Sequence, residues 1–209
     1  MKLSSRQKII LYGLILGDGY LQKTGKKNAR LRLEHSEKQR EYLFWKVSNL
    51  KNLFNRKPTK MIRKHPNGIE YKYYRVQSNS SSFLGKLQQK FYRDGKKLIP
   101  EDINKYLKSP QTLALWYMDD GYYYERDKSA HLFLPKFKKT DLERLKKAFE
   151  ANYGIICEYY CRPDRKSCQL NFTGKNLDKL YSIIDPYIIP SMKYKLPLDP
   201  VTTESRNNG

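Results

Sequence analysis

The chain repeats itself. "LYGLILGDG" (11–19) and "LALWYMDDG" (113–121) are apolar runs of helical length, about a hundred residues apart, and each delivers an aspartate to a glycine. Self-similarity on this scale makes duplication of one module about a pseudo-two-fold axis the simplest architecture for 209 residues. Both runs open on helix-start chemistry. Ser4-Ser5 leads the first, and Ser109-Pro110 leads the second with a proline suited to the first helical turn. Gly19 and Gly121 read as left-handed C-caps.

The continuations match as well. "YLQKTGKKNARLRLEH" and "YYYERDKSAHLFL" both alternate about a turn, the pattern of a hairpin. Helical spacing follows, through Leu43, Val47, Leu50 and Phe54 in one half and Leu142, Leu145 and Phe149 in the other. Second hairpins turn at "HPNG" (65–68) and "PDRK" (163–166). Last amphipathic helices carry Phe83, Leu87 and Phe91, or Leu177, Leu180, Ile184 and Tyr187. Lys97 in "GKKLIP" follows Asp18 at nearly the interval by which Lys195 in "KYKLP" follows Asp120. The expected fold class is α+β, with two α-β-β-α-β-β-α modules over 1–100 and 109–200. A segment over 101–108 joins them, and a tail over 201–209 is expected to be disordered.

Charge narrows the partners. There are 42 Lys and Arg against 21 Asp and Glu, a formal net charge of +21. A domain this basic repels itself unless it meets a polyanion, and nucleic acid is the commonest one. A solvated basic surface of the ribosomal-protein kind is the competing reading. Eighteen tyrosines add stacking faces, although many suit ordinary strand positions. The longest apolar run, Ile9 to Leu16, is too short for a membrane span, and Asp18 interrupts the segment that a signal peptide would need. Cys157, Cys161 and Cys168 lack a fourth ligand at zinc spacing, and are expected as buried or half-buried thiols in a reducing compartment.

A helix C-terminus carries partial negative charge, so a carboxylate there is unfavourable without a cation. Two such carboxylates on a polyanion-binding chain suggest hard divalent ions and phosphodiester hydrolysis, with a lysine near each to stabilise charge or help activate water. Asp119 also precedes a glycine, but neighbouring helical residues point about 100° apart. The repeat aligns Asp18 with Asp120 and Gly17 with Asp119, which leaves Gly17 and Asp119 as flanking candidates for the metal site. The alternative for a single "GDG" is an aspartate that only caps its own turn.

The two motifs resemble those of the LAGLIDADG homing endonucleases of the double-motif, single-chain type. "KKLIP" and "MKYKLP" are similar to the intron-encoded yeast mitochondrial branch. The resemblance spans nearly the whole chain. It implies motif helices packed at a pseudo-two-fold axis and two four-stranded antiparallel sheets that form a DNA-binding saddle. It also implies that Asp18 and Asp120 bind catalytic divalent metal, with Lys97 and Lys195 as basic residues near the active sites. The implied ion is Mg²⁺, with Mn²⁺ or Ca²⁺ able to substitute for binding. In this family the helix contact uses small residues, as Gly13 and Gly17 do. Leu115 and Asp119 occupy those places in the second motif, so an asymmetric interface is expected.

Strand alternation then assigns the DNA face. Leu31 and Leu33 inward put Arg30, Arg32 and Glu34 outward. Val76 inward puts Tyr73, Arg75 and Gln77 outward, Ile62 inward adds Arg63, and Leu170 and Phe172 inward leave Gln169 and Asn171. Lys26, Lys27, Lys64, Arg162, Arg165 and Lys166 are read as loop residues, with phosphates as the expected contacts. The expected activity is site-specific hydrolysis of both strands of a long DNA target, leaving short 3′ overhangs, by a monomeric pseudo-dimer that spreads an intron. An RNA maturase acting on intron RNA is the second reading, and a retired DNA-binding regulator the third. The Lys-, Asn-, Ile- and Tyr-rich usage fits a mitochondrion or other organelle, or a bacterial cytoplasm.

Overall fold

The computed structural model describes residues 3–162 and 167–197. The turn expected over 163–166, with Arg165 and Lys166, and the tail over 201–209 lie outside the described residues. Ser4 starts α1 (Ser5–Leu16) with a capping box. Its hydroxyl accepts from the Gln7 N–H, and the Gln7 side chain accepts from the Ser4 N–H. Then come β1 (Tyr20–Lys23), β2 (Ala29–Ser36), α2 (Arg40–Asn49), β3 (Thr59–Lys64), β4 (Glu70–Gln77) and α3 (Ser82–Phe91). A short hairpin of β5 (Tyr92–Arg93) and β6 (Lys96–Lys97) closes the first half, turning on Asp94 and Gly95 at positive φ. After α4 (Ile103–Tyr106) the plan recurs as α5 (Pro110–Asp120), β7 (Gly121–Tyr124), β8 (Ser129–Pro135), α6 (Lys139–Tyr153), β9 (Glu158–Cys161), β10 (Ser167–Thr173) and α7 (Gly174–Ile184).

Each half holds a four-stranded antiparallel sheet, and the orders correspond: β1-β2-β4-β3 and β7-β8-β10-β9. The strands' alternation sets their faces. Along β2, Leu31, Leu33 and His35 are buried between half-exposed Arg30, Arg32 and Glu34. Along β10, Cys168, Leu170 and Phe172 are buried between Gln169 and Asn171. The buried faces and the helices form one core that runs through both halves.

At its centre α1 lies against α5. Thr112 Oγ1 donates to the Ile9 carbonyl at 3.0 Å. Gly13 and Gly17 leave room for Leu115 and Asp119, so the asymmetric pairing of small with large residues is a direct interlock. Leu14, Ile15, Ala114 and Leu115 are fully buried there, and a buried Leu or Ile stabilises by about 1.5–3 kcal/mol. Among the described residues, no helix is long and apolar enough to cross a membrane.

Several expectations are corrected. Gly19 and Gly121 do not take left-handed angles. Their need for glycine is close approach, since a Cβ on Gly19 would strike the Leu14 carbonyl and one on Gly121 the Tyr117 ring. Val47 is only half-buried, because Lys46 takes the core-facing position beside Leu43. Ile62 is 53% exposed, since the tip of the β3–β4 hairpin runs beyond the helices that would cover it. Tyr187 lies in a 3-10 turn after α7 and is exposed. Cys161 and Cys168, cross-strand partners in β9 and β10, form a disulfide, and only Cys157 is a free, buried thiol.

Candidate active site

Helices α1 and α5 end side by side and bring Asp18, Asp119 and Asp120 together. Asp18 has a 44% exposed side chain. Asp120 is half-buried and accepts from Trp116 Nε1 at 3.1 Å, one turn back on its own helix. Burial and the neighbouring negative charges push both carboxyls up, Asp18 through Asp119 and Asp120 through Asp18 and Asp119. Hard oxygen donors under mutual repulsion are the donor set that suits a divalent cation.

Asp119 behaves differently. Its side chain reaches into the first half and is fully buried. Oδ1 accepts from Lys46 Nζ at 2.5 Å, and Oδ2 accepts from the backbone N–H of Asp18 at 3.1 Å. Burial alone would raise this carboxyl, but Lys46, His35 and the Asp18 N–H hold it below the usual value. Lys46 also donates to His35 Nε2 at 2.6 Å and lies 4.0 Å from the centroid of the Tyr42 ring. Burial and the Lys46 ammonium push His35 down to about 4, so at neutral pH its ring accepts from Lys46 and donates through Nδ1 to Gln39 Oε1 at 3.0 Å. Ligand atoms of Asp18, His35 and Asp119 lie within 4.8 Å of one another, a spacing that suits a metal. An ammonium already bridges two of the three, which leaves Asp18 and Asp120 as the carboxylates with capacity for a cation.

The distant lysines converge on the same place. Lys97, on β6, donates to the Gly17 carbonyl at 2.6 Å and to Gly19 at 3.4 Å. Lys195, in the 3-10 turn over Pro190–Lys195, donates to the Asp119 carbonyl at 2.9 Å, and its own carbonyl accepts from Tyr117. Burial lowers both lysines, against the raising pull of the aspartates. Gly17 and Asp119 thus offer their helix-terminal carbonyls to the two lysines.

The outer faces of the sheets hold the remaining candidates. Across the first sheet Gln77 pairs with Arg32, Arg75 with Glu34, and Tyr71 with Arg63, so these share the face turned from the helices. Arg30 lies there too, donating to Gln22. Glu34 accepts from Arg75 at 2.7 Å and Arg32 at 3.3 Å and pairs with Arg63 at 3.0 Å. Partial burial raises its carboxyl, but Arg75 and Arg32 hold it below the usual value. Tyr73 is on this face as expected but only 8% exposed, because Arg63 stacks 4.2 Å above its ring and Arg75 flanks it. On the second sheet Gln169 bonds His131 and Asn171, each at 2.8 Å. Lys26 and Lys27 are exposed in the β1–β2 turn and Arg162 is half-exposed after β9, but Lys64, expected in a loop, is the exposed last residue of β3, paired with Glu70.

Sequence reasoning missed His35 and Lys46. The signals were a histidine continuing the inward phase of Leu31 and Leu33, and a lysine three residues after Leu43 on an apolar helix face. It also missed Arg56 and Lys57, which line a concavity with Arg30, Arg75 and Gln77. The basic run "NRKPTK" before β3 was their signal.

Known proteins resemble this chain across most of its length. The profile of the LAGLIDADG DNA endonuclease family matches residues 8–180. Probable intron-encoded endonuclease 1 of Wickerhamomyces canadensis is 30% identical over 199 residues, 93% of this chain and 85% of that protein. Cytochrome b mRNA maturase bI2 of Debaryomyces hansenii is 28% identical over 191 residues, 90% of this chain and 72% of that protein. The solved structure of the homing endonuclease I-WcaI bound to its DNA recognition sequence superposes with a TM-score of 0.84 at 30% identity, covering 94% of this chain and 88% of that one.

Proposed function

Because the chain belongs to the LAGLIDADG DNA endonuclease family, we propose that it is a homing endonuclease. It hydrolyses both strands of a long double-stranded DNA site and leaves short 3′ overhangs, in the service of a mobile intron. The observation that carries this reading is the placement of Asp18 and Asp120 at adjoining helix ends, with Lys97 and Lys195 each anchored on the helix-end carbonyl of its own half and acting on both carboxylates. The modules over 1–100 and 109–200 act as a pseudo-dimer within one monomer, with 101–108 as the joint, in the compartment that holds the target DNA, an organelle or a bacterial cytoplasm.

Asp18 and Asp120 would hold the divalent metal, Mg²⁺ with Mn²⁺ or Ca²⁺ able to replace it for binding. When bound, such an ion neutralises phosphate charge and lowers the pKa of water. The protein supplies the rest. Trp116 fixes the Asp120 carboxylate, and Asp119 fixes the Asp18 backbone. An ammonium has three donors, and Lys97 places two on the carbonyls of Gly17 and Gly19, leaving one for a phosphate oxygen. Lys195 places one on the Asp119 carbonyl, leaving two for the other strand.

The test is cleavage of supercoiled DNA carrying the intronless gene that flanks the reading frame. Linear product is expected with Mg²⁺ and none with EDTA. Asp18→Asn or Asp120→Asn should abolish double-strand cleavage, and either variant cutting both strands at the normal rate would overturn the assignment. The likeness to a cytochrome b mRNA maturase supports a second reading, binding of intron RNA, which tight RNA binding without DNA cleavage would favour.

A further inference from the structure

The two sheets are built from different chemistry. The strands of the first carry Lys23, Arg30, Arg32, Lys60, Arg63, Lys64, Lys72 and Arg75, whereas the described strand residues of the second include neither lysine nor arginine. On the outer face of the second sheet are Tyr122, His131, Phe133, Gln169 and Asn171 instead. Register puts Arg30, Arg32, Arg63 and Arg75 on the outer face and Lys23, Lys60, Lys64 and Lys72 in the phase of Leu31 and Val76, so the contrast toward a ligand is four arginines against none among the described strand residues of the second sheet.

We propose that the two halves read chemically different DNA half-sites: a guanine-bearing one under the first sheet and an A·T-rich one under the second. The proposal rests on the DNA-cleaving reading above and extends it to specificity. In the major groove, a guanidinium fork matches guanine O6 and N7. Asn or Gln amides match adenine N6 and N7, and apolar groups meet the thymine methyl.

The first sheet holds its forks ready. Arg75 spends Nε on Glu34, which leaves both terminal amino groups of the fork unspent on that carboxylate. Arg63 is braced by Glu34 and by the Tyr73 ring. Glu34 is therefore a positioning residue: a lone carboxylate facing phosphates repels them, but here it removes rotamer freedom from two arginines before DNA arrives. On the second sheet, Gln169 spends Nε2 on His131 Nδ1 and on Asn171 Oδ1, which leaves Gln169 Oε1 to accept from adenine N6 and the Asn171 amide to donate to N7. Tyr122, 51% exposed, and Phe133, 38% exposed, flank them with apolar surface suited to thymine methyls.

The experiment is selection of bound duplexes from a randomised library by the full chain, repeated with Arg75→Ala, Gln169→Ala and Glu34→Gln variants checked for folding by circular dichroism. Guanine preferences are expected to cluster in one half-site and A·T preferences in the other. Arg75→Ala should relax one guanine position by about 5- to 150-fold and leave the A·T half unchanged. Gln169→Ala should relax only the A·T half. Glu34→Gln should weaken guanine discrimination while binding to random DNA tightens. Guanine preferences spread over both halves, or relaxation of an A·T position by Arg75→Ala, would overturn the partition. Unchanged discrimination in Glu34→Gln would overturn its positioning role. If no duplex is enriched at all, the DNA-reading function itself fails, a result distinct from a site with its bases otherwise arranged.

Discussion

Lys97 donates to the carbonyl of Gly17 at 2.6 Å, and Lys195 repeats that contact on the carbonyl of Asp119 at 2.9 Å. The four residues are related by the internal repeat, so the two halves share one device: an ammonium anchored on the negative end of the motif helix. The supports differ, a β-hairpin for Lys97 and a 3-10 turn for Lys195.

Separate anchoring predicts separate failures. Lys97→Met should slow one strand and Lys195→Met the other, each by about 10²–10³-fold in kcat, the scale for loss of one charge-stabilising donor. End-labelled duplexes would show nicked intermediate accumulating on opposite strands in the two variants. Equal slowing of both strands would contradict independent centres.

Lys46 sits at full burial against Asp119. Lys46→Met leaves that carboxylate buried and unpaired, at a cost of about 3–5 kcal/mol in unfolding free energy. Adding Asp119→Asn should recover a substantial part, since an amide is far cheaper to bury than a charge. Urea denaturation of the two single variants and the double variant measures the coupling.

Gly13 faces Leu115, and an added Cβ would lie 2.6 Å from the Leu115 Cβ and 2.9 Å from the Thr112 carbonyl. Gly13→Ala should destabilise by about 1–3 kcal/mol through overpacking. Leu115→Gly, which removes that Cβ, combined with it in one chain should give a smaller loss than the two separate losses added together. Thermal melts of all four proteins decide it.

Burial pushes the Cys157 thiol up to about 12, well above the usual value. The folded form keeps its proton where the unfolded chain has lost it, so this group's contribution to stability is complete below pH 9 and falls as pH rises towards 12. Replacing it by Cys157→Ala should flatten that decline. A thiol reagent should find no reactive group in the native protein and one after unfolding without reductant, because Cys161 and Cys168 are bonded to each other.

Much of this was legible in the chain. The two motifs, the order of helices and strands, and the inward and outward phases of β2, β4 and β10 all follow from local periodicity. Local periodicity is the property that a helix or a pleated strand imposes on neighbouring residues. The pairing of Asp18 with Asp120 followed from the repeat. Distances between residues far apart in sequence left no such trace. Lys46 reaches Asp119 across 73 positions, and a solvated helix face is the ordinary place for a lysine.

The sequence by itself determined that the plan is written twice, and which acids and lysines correspond. Tertiary structure alone decided that Asp119 turns inward to an ammonium while Asp120 stays beside Asp18, because helix packing and not helix periodicity sets what each carboxylate meets. It also decided that one glutamate gathers three arginines over a buried tyrosine, since strand register brings Arg32, Arg63 and Arg75 to Glu34 from three different strands. Identity and order are written along the chain. Electrostatic partnership is written across it, and it exists only once burial has removed the water that would otherwise screen each charge.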